Sequence, residues 1–128
     1  MGIYEVMVSA RFVARHSVAL PDGAAESPHE HEWCVSAAFR ADCLDENGFV
    51  IDFAAVRALL VEITGEMEGK DLNDLLSGAE GGATAERVAE YLAGRLSLRL
   101  GRDVHCLRVT EAPGCDAAFY PLGRGLDE

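Results

Sequence analysis

Two long runs of strictly alternating residues constrain this chain more than anything else in it. Residues 4–16 read Y-E-V-M-V-S-A-R-F-V-A-R-H, and residues 29–41 read H-E-H-E-W-C-V-S-A-A-F-R-A. Tyr4, Val6, Val8, Ala10, Phe12, Ala14 and His16 share one face of the first run. His29, His31, Trp33, Val35, Ala37, Phe39 and Ala41 share one face of the second. Side chains alternate across a strand, so period two predicts two β-strands, each with one apolar face. Both of those faces carry histidine at the end where the runs meet. Residues two apart on a strand sit roughly 6–7 Å apart at their backbones, so His29 and His31 can reach one ion. A third imidazole from His16 on the neighbouring strand leaves a coordination position open, the ligand set of catalytic rather than structural zinc. The competing reading is three half-buried histidines near a sheet edge, each satisfied by a carbonyl.

Beyond Asp52 the period changes. Phe53, Val56, Leu59, Leu60, Ile63 and Met67 fall on one helical face, and Asp52 is placed to cap the helix by accepting first-turn amides. A second helix is expected from the cap Thr84 to about Gly101, with Ala85, Val88, Leu92 and Leu96 as its buried stripe and Glu86 in its first turn. Between the helices, Asp74–Ala83 contains Gly78, Gly81 and Gly82 and reads as a loop. Val104–Ala112 reads as a third strand, Pro113 and Gly114 as a turn, and Ala117–Tyr120 as a short fourth strand. Residues 1–120 are then one domain and 121–128 a loose tail. A four-stranded antiparallel sheet with two helices packed on one face is an α+β layer.

A chain of 128 residues suits a single domain with a modest core. It has no apolar run long enough to span a bilayer and no signal-peptide pattern at its start. Cys34, Cys43, Cys106 and Cys115 form no C-x-x-C pair and no dense framework, which points to reduced thiols and a cytoplasmic setting. The net charge of −11 argues against nucleic acid or an anionic membrane as partner. It leaves room for an anionic small molecule, because a local metal and a few arginines can outweigh the global field.

Several short motifs, in order from about residue 10 to residue 112, resemble the 6-pyruvoyltetrahydropterin synthase family, which includes the 6-carboxytetrahydropterin synthases of queuosine biosynthesis. Phe12-Val13-Ala14-Arg15-His16 is similar to the family's F-x-A-x-H, and His29-Glu30-His31 to its H-G-H, with Trp33 at the usual aromatic position. Gly48-Phe49-Val50-Ile51-Asp52-Phe53 is similar to G-x-[VI]-[VI]-D-F, and Leu72-Asn73 to L-N. Ala83-Thr84-Ala85-Glu86 is similar to P-T-x-E, with alanine in place of proline. Glu111 matches the glutamate that holds the pterin. The resemblance implies a T-fold whose sheets join into a barrel in a trimer, two trimers commonly stacking as a hexamer, with sites between subunits. It also implies Zn2+ held by His16, His29 and His31, and a dihydroneopterin-type substrate held by Glu111, with Thr84 lining the pocket.

The chain departs from that family at its proton-transfer groups. The family places a cysteine between the first and second zinc histidines, and here residues 17–28 read S-V-A-L-P-D-G-A-A-E-S-P. The family's D-H-x-x-L-N stretch is here Glu68-Gly69-Lys70-Asp71-Leu72-Asn73, with Gly69 at the histidine. His105, the fourth histidine, is expected on the third strand about 20 Å from Glu111 and reads as a partly buried strand residue. Glu26 lies in the loop that carries the cysteine in relatives. A related subfamily uses glutamate there and cleaves the side chain to 6-hydroxymethyl-dihydropterin, which makes Glu26 the candidate catalytic base; a solvated loop carboxylate is the alternative. For Glu111 the alternative is a salt bridge to Arg108 or Arg11. The functional expectation is therefore a zinc-dependent lyase or aldolase with altered chemistry. From another class, a non-catalytic pterin- or purine-binding oligomer that retains the zinc site stays open.

Overall fold

A computed structural model describes residues 1–78 and 80–121. The chain forms β1 (Tyr4–His16), β2 (His29–Ala41), α1 (Phe53–Met67), α2 (Leu72–Leu75), α3 (Ala85–Leu100), β3 (Cys106–Ala112) and β4 (Cys115–Phe119). The four strands make one antiparallel sheet in the order β1-β2-β3-β4. Helix α1 lies over β1, α3 lies over β3 and β4, and the two helices touch. The architecture is the α+β layer that the two periodicities predict.

The core follows from the alternation. Val8, Phe12, Ala14, Trp33, Val35, Ala37, Phe39, Leu107 and Val109 point from the sheet toward the helices and are buried. From the other side come Val56, Leu60, Ile63 and Met67 of α1 and Val88, Leu92 and Leu96 of α3. Each fully buried side chain of this size contributes roughly 1.5–3 kcal/mol against chain entropy. The opposite sheet face carries polar pairs across strands, Arg40 with Glu5 at 2.6 Å, Ser9 with Ser36 at 2.9 Å and Thr110 with Asp116 at 2.8 Å, beside the apolar Met7 and Ala38.

The caps stand where the sequence places them. Asp52 accepts the Ala54 N–H at 2.9 Å, Thr84 accepts the Arg87 N–H at 3.2 Å, and α3 ends on Gly101 at φ 71°. Other details differ. Phe53 sits in the first turn of α1, rotated out of the buried stripe, and is 56% exposed. Part of the expected loop is the short helix α2, which Asp71 starts by accepting the Asn73 N–H. Strand β3 begins at Cys106, so His105 precedes it, although the His105 N–H still bonds the Ala38 carbonyl at 2.8 Å. Its ring packs edge-on against Tyr120. Strand β4 begins two residues earlier than expected. Of the tail expected at 121–128, residues 122–128 lie outside the described residues.

Candidate functional site

The register of β1 and β2 assembles the histidines. His16 pairs directly with His29 and Ala14 with His31, so the three imidazoles share the helix-facing side at one end of the sheet. Their rings lie 4.6–5.2 Å apart, centre to centre, and Trp33 packs edge-on beneath His16 at 4.9 Å. Trp33 is held in turn by its indole N–H, which donates to the Ala14 carbonyl, and by stacking on Phe12. A rigid aromatic floor leaves the imidazoles little freedom.

Hydrogen bonds select the ring nitrogens that are left over. His16 Nδ1 is 2.7 Å from the Ala83 carbonyl oxygen, and His29 Nδ1 is 3.1 Å from the Ser27 carbonyl oxygen. A carbonyl only accepts, so each Nδ1 carries a proton, which in the neutral ring leaves the lone pair on Nε2. Among the described residues, His16 Nε2 and His31 Nε2 are buried without a hydrogen-bond partner. Burial pushes the His31 imidazole below its usual pKa; Glu111 opposes this, while His29 and His16 add to it. The neutral ring is the form that binds metal. One nitrogen from each of the three rings falls within 4.8 Å of the other two. Three converging imidazoles, two of them with a buried and unpartnered Nε2, fit a zinc ion; the carbonyls that His16 and His29 meet occupy only their Nδ1 atoms.

Glu111 reaches this cluster by alternation, since it follows Leu107 and Val109 on the helix-facing side of β3. Thr110 pairs with Asp116 and Ala112 with Cys115, so Glu111 is the extra residue on β3 with no partner on β4. Glu111 Oε1 is 3.4 Å from His16 Nε2, and Oε2 is 3.9 Å from His31 Nε2. The expected alternative, an ion pair with Arg108 or Arg11, does not form: Arg11 meets Glu32, and Arg108 projects from the opposite face of β3.

Glu26 also arrives at the site. Residues 17–28 fold into a small hairpin around Pro21-Asp22-Gly23, with Leu20 N–H bonded to Ala24 O and Gly23 at φ 87°. The hairpin returns Glu26 to Val18, whose N–H donates to Glu26 Oε1 at 3.2 Å, and places that oxygen 3.6 Å from His29 Nδ1. Gly69, at the position where the family's motif has histidine, is a left-handed residue at φ 73° whose N–H bonds the Val13 carbonyl.

A cleft of about 300 Å³ opens beside Glu111 and is lined also by Val18, Thr84, Glu86, Cys115 and Asp116. The structure thus gathers His16, His29, His31, Glu26 and Glu111 at one end of the sheet and adds Thr84 through the cleft. Cys115, Glu86 and Asp116 are cleft residues that the sequence reading misses. The available signal is the Pro113-Gly114 turn, which folds residues 115 and 116 back beside Glu111. Asn73 is a further omission. Its side chain accepts the Ser17 N–H and donates to the Ser17 carbonyl, both at 3.0 Å, which pins the chain directly after His16.

Comparison with known proteins agrees with this geometry. The family model described as 6-pyruvoyl tetrahydropterin synthase matches residues 5–121. No curated protein matches the chain significantly in sequence. The 6-pyruvoyl tetrahydropterin synthase of Caenorhabditis elegans superposes with a TM-score of 0.80 at 15% identity, over 94% of this chain and 97% of that one. A Plasmodium vivax 6-pyruvoyltetrahydropterin synthase variant, with a catalytic glutamate replaced by alanine, superposes with a TM-score of 0.74 at 18% identity, over 94% and 99%. An uncharacterised Wolinella succinogenes protein gives 0.72 at 17%, over 94% and 99%.

Proposed function

The chain belongs to the 6-pyruvoyl tetrahydropterin synthase family and has its T-fold, and within that family we propose a zinc-dependent lyase or aldolase acting on a dihydroneopterin-type pterin. The observation that carries the proposal is the pair of buried, unpartnered Nε2 atoms on His16 and His31, which face the Glu111 carboxylate across 3.4–3.9 Å. His16, His29 and His31 are the proposed metal ligands. When bound, zinc supplies Lewis acidity that lowers the pKa of a coordinated hydroxyl or water toward neutrality.

The protein's own groups divide the remaining work. Glu111 is the proposed pterin anchor, since the ring's N3–H and 2-amino group offer two parallel donors to a carboxylate. Thr84 borders the same cleft while capping α3. Glu26 is the proposed base, oriented through Oε1 by the Val18 N–H. It accepts the proton of the hydroxyl on the second side-chain carbon as the bond to the first carbon breaks. The electron pair passes into the pterin ring, the first carbon is reprotonated, and a hydroxymethyl pterin and an aldehyde leave. The Plasmodium vivax relative supports a catalytic glutamate in this fold. The absence of cysteine from residues 17–28 and the glycine at position 69 weigh against the usual synthase route.

Sheet edges at β1 and β4 support assembly into the family's barrel as a trimer or hexamer. Reduced cysteines support a cytoplasmic enzyme, and among the described residues no helix is long and apolar enough to cross a membrane. The test is to incubate zinc-loaded protein with dihydroneopterin and, separately, its triphosphate, and follow products by mass. A 6-hydroxymethyl product supports the proposal, a 6-pyruvoyl or 6-carboxy product overturns the role of Glu26, and bound but unchanged substrate favours a non-catalytic pterin binder.

A further inference from the structure

We propose that Glu111 is a fourth ligand of the metal centre while the pterin is absent, and that the arriving pterin draws its carboxylate away. The proposal rests on the zinc and pterin readings above and adds a second state of the same site. Glu111 Oε1 lies 3.4 Å from His16 Nε2, and Oε2 lies 3.9 Å from His31 Nε2. These are the two buried ring nitrogens that lack a hydrogen-bond partner among the described residues. His16 Nδ1 holds its proton against the Ala83 carbonyl, 2.7 Å away, so in the neutral ring Nε2 is an acceptor. An ionised carboxylate only accepts as well. Acceptors turned on one another in buried surroundings repel unless something positive lies between them. A proton joins one such pair. A single metal cation satisfies His16, His31 and the carboxylate together.

Distance and surroundings favour the cation. Zinc bonds of about 2.0–2.1 Å set tetrahedral ligand atoms roughly 3.3–3.4 Å apart. The 3.4 Å approach of Glu111 to His16 is of that size, and the 3.9 Å to His31 falls inside the 4.8 Å that spans the three ring nitrogens. The Glu111 side chain is 29% exposed, and among the described residues no arginine, lysine or hydroxyl bonds its carboxylate. His16 is buried and packed on Trp33, so the carboxylate is the partner with room to move. Three histidines and one carboxylate close a zinc centre, whereas a catalytic centre keeps one position open. The pterin's N3–H and 2-amino group offer the same carboxylate two donors. Glu111 therefore has two alternative partners, and leaving the metal for the ring opens the position that a substrate hydroxyl needs. Anchoring of the ring and opening of the metal are coupled through one side chain.

The experiment replaces zinc with Co2+ in the full-length protein and follows its visible absorption bands, first alone and then with 7,8-dihydroneopterin. Without pterin, Glu111→Gln and Glu111→Ala are expected to bind Co2+ at least ~10-fold more weakly and to shift the bands, while the three histidines still hold about one ion per chain at saturation. Saturating pterin is expected to shift the bands of the wild type. Equal Co2+ affinity and identical bands in the wild type and both variants overturn the proposal and leave the anchoring of pterin by Glu111 standing. Pterin that binds the wild type without moving its bands overturns the release. A wild-type chain that binds no Co2+ overturns the zinc reading and the proposal with it. Failure of the pterin to bind overturns the pterin reading and the release, while the pterin-free comparison still decides the fourth ligand.

Discussion

The imidazole of His16 donates from Nδ1 to the carbonyl oxygen of Ala83, 2.7 Å away and 67 residues distant in the chain. This one bond joins the end of β1 to the loop that leads into α3. It fixes which nitrogen of His16 faces the cluster, and it ties the histidine centre to the cleft behind Thr84. Ala83 stands where the family has proline, and a carbonyl serves as acceptor from either residue.

The loop that delivers Ala83 depends on its neighbour Gly82. A Cβ on Gly82 would lie 2.3 Å from the Ser17 carbonyl oxygen, and its φ is +90°. Gly82→Ala is expected to cost ~1–3 kcal/mol and to loosen the strand end carrying His16. Thermal unfolding and zinc titration check this together; an unchanged Tm with wild-type zinc affinity contradicts the close packing.

Asn73 acts on the same turn from the other side. Its amide satisfies both the N–H and the carbonyl of Ser17, as a neighbouring strand would. Asn73→Ala leaves both groups without that partner and is expected to destabilise by ~1–3 kcal/mol. Denaturant unfolding measures it, and a loss near zero would show that the clamp contributes nothing.

Glu111→Gln removes the charge that matches two pterin donors while preserving shape. Pterin affinity is expected to fall at least ~10-fold, with zinc content retained. Equal pterin affinity in the variant refutes the anchor. Loss of zinc instead would reassign Glu111 to the metal.

Glu26→Gln keeps an oxygen to accept from Val18 but no longer takes a proton. Single-turnover rates are expected to drop ~10²–10⁴-fold with pterin affinity nearly intact. A rate within a factor of a few of wild type removes Glu26 from the chemistry.

Much of this was readable from the chain, for reasons that can be named. The alternation at residues 4–16 and 29–41 is long enough to set both strands and the face that holds His16, His29 and His31. The caps Asp52 and Thr84 are legible because capping is local chemistry. What escapes is set by tertiary geometry. Phe53 fits the helical stripe by spacing, yet its position in the first turn leaves it largely in solvent. The bulge at Glu111 is a mismatch between two strands, and neither strand's sequence alone contains it. The hairpin that returns Glu26 was written in Pro21-Asp22-Gly23, but its destination beside His29 depended on where β2 begins. Cys115 and Asp116 join the cleft only because a tight turn stacks them on β3.

Zinc content tests the central claim most directly. Protein purified without chelator and then equilibrated with zinc is expected to hold about one zinc per chain by elemental analysis. His31→Ala is expected to lose it while keeping the far-ultraviolet circular dichroism of the wild type, since the 24% exposed His31 side chain lies outside the packed core. Zinc retained at the wild-type level in a folded His31→Ala protein would contradict the assignment of His16, His29 and His31 as the metal centre.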